Sequence, residues 1–264
     1  MSIKSKVLAA AATLTLVGGV GAAGMLTAGG AAAATPSCGN ACINIFSLQF
    51  GTHASPNFAV DVYRQGEKVG QPIILFRTAN FDPALDWTLA FQGTVADFFK
   101  AGLVSAAVAL HYGGLAAGFP NDAAFENEYA PFGVDSGLCM GLASTAVQGE
   151  GVTLQPCGVS SKTVWIADTG NGAALSPNAP GGNSPNTLLF GYVPAINGST
   201  TNFSHPFVLT YPSTGFPTDK PRPQLQVDNL TGFSNPSPPF FIPGPQVGTV
   251  NVSQLWGAVF GILK

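Results

Sequence analysis

Ser136-Gly137-Leu138-Cys139-Met140-Gly141-Leu142, continued by Gly151-Val152-Thr153-Leu154-Gln155-Pro156-Cys157-Gly158 and closed by Thr163-Val164-Trp165, decides the reading of this chain. A second stretch has the same layout. Ala59-Val60-Asp61-Val62 stands where Cys139-Met140-Gly141-Leu142 does, and Leu85-Asp86-Trp87 supplies the ending. Between them, Gly70-Gln71-Pro72-Ile73-Ile74-Leu75-Phe76 matches Gly149-Glu150-Gly151-Val152-Thr153-Leu154-Gln155. Counting back from the third tryptophan, Trp256, brings Gln226-Val227-Asp228-Asn229 into the corresponding place, in a unit interrupted by prolines. From Asp61, Gly141 and Asp228 to the following tryptophan the spacings are 26, 24 and 28 residues. A repeat of this kind reads as one supersecondary unit that cannot bury its apolar face alone, so the copies must pack on one another.

Residues 1–34 read as a secretory signal peptide. Lys4 and Lys6 give a positive start, Val7 to Val17 is apolar, and a Gly/Ala-rich run ends in the small-residue site Ala32-Ala33-Ala34. A membrane anchor is the alternative, but Gly18-Gly19, Gly21 and Gly29-Gly30 break up the ~20 strongly apolar residues a span needs. No cysteine stands at the expected cut, which disfavours a lipid anchor. Residues 35–264 are then a single domain of 230 residues, a size an all-β fold can fill as one unit. Loss of Lys4 and Lys6 takes the formal charge from −3 to −5. A weakly acidic chain with 9% charged residues has no basic footprint for nucleic acid and no polybasic patch for anionic lipid. The expectation is a secreted monomer with no membrane span after signal cleavage.

With 33 glycines and 21 prolines, the chain has the material for many turns between short strands, and 46% hydrophobic residues mark it as one that folds. All four cysteines follow the expected cut, in a compartment that favours disulfides. Four cysteines permit three connectivities. We favour Cys38–Cys42, a small clip, and Cys139–Cys157, which encloses the body of repeat two. Zinc at Cys38-x-x-x-Cys42 would need two more ligands, and His53 has no partner; no metal and no cofactor are expected.

Strands are expected at Ile43–Leu48, Phe58–Val62, Pro72–Phe76, Trp87–Phe91, Leu103–Tyr112, Val152–Gln155, Val164–Ala167, Thr187–Tyr192, Phe207–Tyr211 and Gln224–Val227. The apolar tail from Trp256 to Leu263 would close the fold. Thr94 to Lys100 could form one short helical turn before Gly102. Pro177 to Pro185 and Asn235 to Pro245 read as loops from their Pro, Gly, Asn and Ser content, inserted in one domain.

Repeat two resembles a ricin-type β-trefoil lectin repeat, which has a Cys-Leu-Asp-Val start, a Val-x-Leu-x-x-Cys middle and a Gln-x-Trp end. Repeat one looks like the same unit with Ala59 and Thr78 at the two cysteine positions, and repeat three keeps the ending as Gln254-Leu255-Trp256. The resemblance implies an all-β, β-trefoil-like fold of three degenerate repeats with long loop insertions. It implies four strands per repeat around a pseudo-threefold axis, with Trp87, Trp165 and Trp256 in the shared core. It also implies sugar-binding roles: a carboxylate bonded to two neighbouring hydroxyls, an aromatic face against the ring, and amides near the end of the repeat. In repeat one these roles fall on Asp61 and Phe76, while Ala84 and Leu85 at the amide positions cannot serve. Repeat two, with Gly141 and Gln155, is expected not to bind. Repeat three offers Asp228, Ser253 and Gln254, with Phe240 or Phe241 as the aromatic.

Each role has a plainer counterpart. Asp61 could be a strand-end carboxylate bonded to nearby backbone amides, and Phe76 could be core. No catalytic motif of the nucleophile-elbow, His-Glu-x-x-His or phosphate-loop type occurs. His53, His111 and His205 are dispersed, and His111 reads as a satisfied, partly buried imidazole. Glu126-Asn127-Glu128 would place two carboxylates on one strand face, a pair that could cleave glycosides but reads as a solvated face. The sequons at Asn197, Asn202, Asn229 and Asn251 carry little weight beside a signal of bacterial type. The chain is thus expected to be a secreted, non-catalytic carbohydrate-binding protein with an extracellular glycan as partner. The alternative is a structural or protein-interaction module on the same scaffold. Asp61 separates the two: open beside Phe76 in the first, tied to backbone in the second.

Overall fold

Three hydrogen bonds form a closed ring at the centre of the computed structural model: Ile73 N–H donates to Val152 O (3.0 Å), Val152 N–H to Leu225 O (2.7 Å) and Leu225 N–H back to Ile73 O (2.8 Å). The structure describes residues 43–52, 55–56, 58–77, 87–116, 121–168, 192–213, 215, 222–231 and 250–260. Ile73 starts the second strand of a hairpin, Val152 and Leu225 directly precede theirs, and each hairpin belongs to a four-stranded repeat. Repeat one holds β1 (Ile43–Ser47), β2 (Phe58–Val62), β3 (Ile73–Arg77) and β4 (Trp87–Thr94). Repeat two holds β5 (Ala123–Tyr129), β6 (Leu138–Gly141), β7 (Thr153–Pro156) and β8 (Trp165–Ala167). Repeat three holds β9 (Ala195–Asn197), β10 (Phe207–Thr210), β11 (Gln226–Asn229) and β12 (Trp256–Phe260).

The registers repeat as well. The hairpins pair Val60 with Leu75, Met140 with Leu154 and Leu209 with Val227. First and second strands meet at Phe46 and Ala59, Glu128 and Cys139, Ile196 and Val208. The last strand of each repeat pairs antiparallel with the first of the next: β4 with β5, β8 with β9, β12 with β1. These six strands form a nearly closed barrel, and the three hairpins cap it. The fold is a β-trefoil of three degenerate repeats with long insertions.

The tryptophans explain why the units need one another. Trp87 Nε1 donates to Val60 O (3.0 Å), Trp165 Nε1 to Met140 O (2.8 Å) and Trp256 Nε1 to Leu209 O (2.7 Å). A buried indole needs a partner for its N–H, and here the hairpin of the same repeat supplies it. The rings pack in one cluster with Ile43, Val60, Leu75, Tyr129, Met140, Leu154, Leu209 and Val227, drawn from all three repeats. Trp87 and Tyr129, from successive repeats, have ring centroids 5.5 Å apart.

These bonds correct the alignment of repeat three. Its counterpart of Val60-Asp61 and Met140-Gly141 is Leu209-Thr210 on β10, and Gln226-Val227-Asp228-Asn229 is the following strand, β11. The indole reaches back 27 and 25 residues in repeats one and two but 47 in repeat three. The extra chain lies in the connections flanking β11, so a fixed count back from Trp256 lands one strand late.

A second correction concerns Leu103–Tyr112, expected as a strand. It contains α2 (Ala106–Tyr112), capped by Ser105, whose Oγ accepts Val108 N–H at 3.2 Å. Val108, Ala109 and Tyr112 form its buried face, a helical spacing hidden in a run with few polar residues. The expected turn before it is α1 (Val95–Lys100), held by a reciprocal capping box between Thr94 and Asp97 and ended near Gly102 at φ 77°. Together the two helices form an insertion between repeats one and two, built on a second cluster with Phe46, Phe98, Val164 and Ile196. His111 is half-buried, its Nδ1 3.1 Å from Ala107 O and its ring stacked on Phe203 at 4.0 Å.

Cys139 and Cys157 form a disulfide joining β6 to the turn after β7. Cys38–Cys42, residues 1–34, His53, Thr78, Ala84, Leu85, Phe240, Phe241 and both long Pro-rich loops lie outside the described residues, as does all of Thr187–Tyr192 except Tyr192. No helix among the described residues is long and apolar enough to cross a membrane.

Candidate functional site: a polar groove on repeat three

Strand alternation sets the groove. On β11 Val227 is fully buried, so Gln226 and Asp228 point to the opposite face, where both are half-buried. The short helix Val252–Gln254, just before Trp256, contributes Ser253 and Gln254 to the same groove, which Gln49 and Gln148 also line. The space between them is about 450 Å³.

Asp228 sits in a fixed cradle. Its Oδ1 accepts Gln148 Nε2 at 2.6 Å and its Oδ2 accepts Gln226 Nε2 at 2.7 Å. Gln148 comes from the hairpin turn of repeat two, and its Oε1 takes Asn229 N–H at 2.9 Å. One side chain of repeat two is thereby clipped to β11 through both ends of its amide.

Gln254 is also in place, but as a wall. Its Nε2 donates to Thr210 Oγ1 (3.2 Å) and Asn229 O (3.0 Å), and its Oε1 accepts Thr231 N–H (2.9 Å) and Oγ–H (2.8 Å). Four bonds saturate a carboxamide, and the residue is 2% exposed. Ser253 is buried too, its N–H accepted by Asn251 Oδ1 at 3.1 Å. Two acceptors of lining residues are buried away from solvent. Asn229 Oδ1 and Gln49 Oε1 have no partner among the described residues, although Gln49 Nε2 is anchored on Ser213 O at 3.1 Å.

Repeat one is different. Asp61 is 2% exposed, and its Oδ1 accepts Val62 N–H at 2.7 Å. Phe76 is half-buried with the Arg222 guanidinium 4.4 Å above its ring. The two residues lie on adjacent strands, as the sequence implies, and the carboxylate is buried. In repeat two, a side chain at Gly141 would place its Cβ 2.7 Å from Thr163 Cγ2 and 2.9 Å from Lys162 O, so that position is packed shut.

The acidic pair of β5 is a further correction. Glu126 and Glu128, expected on a solvated face, are 1% and 8% exposed. Glu126 accepts Gly158 N–H at 3.0 Å and Thr163 Oγ–H at 2.5 Å, and Glu128 accepts Gly137 N–H at 2.6 Å. Both carboxylates do share one face, but the loops of repeat two cover it. Burial raises the Glu128 pKa above its usual value, against the pull of the Gly137 amide. Among the described residues no group of three or more His, Cys, Asp or Glu could hold a metal ion.

No family model matches this chain, and no curated protein matches it. Among solved structures it is similar to the crystal structure of a designed 3-fold symmetric protein, ThreeFoil, with 11% identity and a TM-score of 0.41 over 82% of this chain and 96% of that one. At that similarity the fold rests on the repeated bonds and registers described above.

Proposed function

We propose that this protein is an exported, non-catalytic carbohydrate-binding protein whose site is the groove of repeat three. The observation that carries the reading is Asp228, held in its cradle by Gln148 and Gln226 on the lining of the groove. Sugar hydroxyls would donate to the remaining acceptor sites of Asp228, and hydroxyl oxygens would take the second N–H of Gln148 or Gln226, each of which makes one bond in the structure. Tyr211 lines the groove but is 1% exposed. Binding would therefore rest on hydrogen bonds more than on ring stacking, which predicts modest affinity. The signal-like residues 1–34 support export, and the Cys139–Cys157 disulfide fits an oxidising compartment.

A glycan array tests this reading. The wild-type protein should bind a defined subset of sugars, Asp61→Ala should bind the same subset, and Gln148→Ala should lose it. Silence across the array would remove the reading in favour of an interaction module. For that second reading the helical insertion offers exposed Phe99 and Leu110, with Phe91 of the preceding strand β4, at 36%, 47% and 37% exposure.

A further inference from the structure

Resting on the carbohydrate reading of this groove, we propose that its ligand is an amino sugar presenting a protonated amine to Asp228. Charge is the first ground. Among the described residues that line the groove, Asp228 is the one charged side chain, with no Lys, Arg or His beside it. Its partners, Gln148 and Gln226, are neutral amides and occupy one site on each carboxylate oxygen. An ionised carboxylate has about four acceptor sites, so half remain to take charged donors.

Hydrogen-bond inventory is the second ground. Donors are few: both N–H groups of Gln254 are used and Thr210 Oγ–H donates to Val208 O at 3.0 Å, which leaves the second N–H of Gln148 and of Gln226. Acceptor sites remain on both oxygens of Asp228, a surplus held by one charged group. An ammonium brings three donors and no acceptor, which matches that surplus. An N-acetyl group could take one of those amide N–H groups but loses the charge that pairs with Asp228, and a uronate would set a second carboxylate against Asp228 with no cation among the described lining residues. In a partly desolvated cleft such a pair is disfavoured.

The inference also follows from where the carboxylate stands. Repeat one carries Asp61 on the first strand of its hairpin, where it is buried. Repeat three has Thr210 in that place and carries its carboxylate on the second strand, at the position of Phe76 and Gln155 in the other repeats. Where the lectin-like pattern puts an aromatic platform, this groove puts an anion.

The test is calorimetric titration of the purified protein with a short oligomer of glucosamine, its fully N-acetylated counterpart and a uronic acid oligomer of equal length. The amine form should bind about tenfold or more tighter than the acetylated form, and Asp228→Asn should lose about that factor, as expected for removal of a charge-assisted bond. Raising the salt concentration should weaken the amine form selectively. Equal binding of the acetylated or uronate oligomer overturns the inference. So does unchanged binding by Asp228→Asn, or equal binding of a lysine tetrapeptide, since either would mark general attraction of a cation to an acidic protein. If a neutral sugar binds and Gln148→Ala abolishes it, the carbohydrate reading survives and the amine fails. If no sugar binds, both fail. An unchanged thermal midpoint for Asp228→Asn shows that a loss of binding is not a loss of fold.

Discussion

One residue past the carbonyl that receives the tryptophan N–H, repeat two has Gly141 and repeat three has Thr210. At Gly141 the chain of Lys162-Thr163 closes over the strand so tightly that a Cβ would sit 2.7 Å from Thr163. At Thr210 a whole side chain fits and bonds to Gln254. The same step separates the residues two before each tryptophan. Thr163 is short and donates to the buried Glu126, which seals repeat two, whereas Gln254 is long and spans Thr210, Asn229 and Thr231, which props repeat three open. The Cys139–Cys157 bond reinforces the closed repeat. A shared backbone therefore sets where a site can be, and side-chain length at two positions decides whether one is there.

That comparison can be broken at its base. If the repeats are equivalent, Trp165→Ala and Trp256→Ala should each cost about 3–5 kcal/mol in urea unfolding, as truncation of a buried Trp does. A loss under about 1 kcal/mol at either site would show that its repeat does not depend on the shared core. Replacing Cys139 and Cys157 by Ser should cost roughly 3 kcal/mol while leaving sugar binding by repeat three unchanged. Gly141→Thr, which gives repeat two the side chain of repeat three, should cost about 1–3 kcal/mol through overpacking; a neutral result would mean the closed repeat has room to open. The smallest effect concerns Glu128. Its pKa is raised from 4.5 by burial, so the ionised form is less favoured in the folded chain than in the unfolded one. Its contribution to stability is fully present at low pH and declines as the pH rises from the usual carboxylate value through the raised one. Glu128→Gln should flatten that part of the stability profile, since a carboxamide oxygen still accepts Gly137 N–H.

Repeats one and two were legible because their hairpins and closing segments have nearly equal lengths, so the match of Ala59–Val62 with Cys139–Leu142 agrees with the strand registers. Repeat three was not, because its long connections move the tryptophan away from the strand it bonds. Asp228 and Gln254 do line one groove, yet Asp228 reaches it from β11 and Gln254 serves as wall. Gln148, which links two repeats, carries no local signal: its role appears only when the turn of repeat two meets β11. The helix α2 is hidden in the sequence because an apolar run shows its period only through what it buries, and Ser105 is the available clue. Glu126 and Glu128 share a face as alternation requires, but nothing local tells that loops from Gly137 and Gly158 cover it.

The most direct test of the account is to add the best-binding sugar to the isotope-labelled protein and follow its backbone amide resonances. The account predicts shifts concentrated at Gln148, Asp228, Asn229 and Thr231, with Val62 and Leu142 unmoved. Shifts centred on Val62 and Phe76 would contradict it and return the site to repeat one.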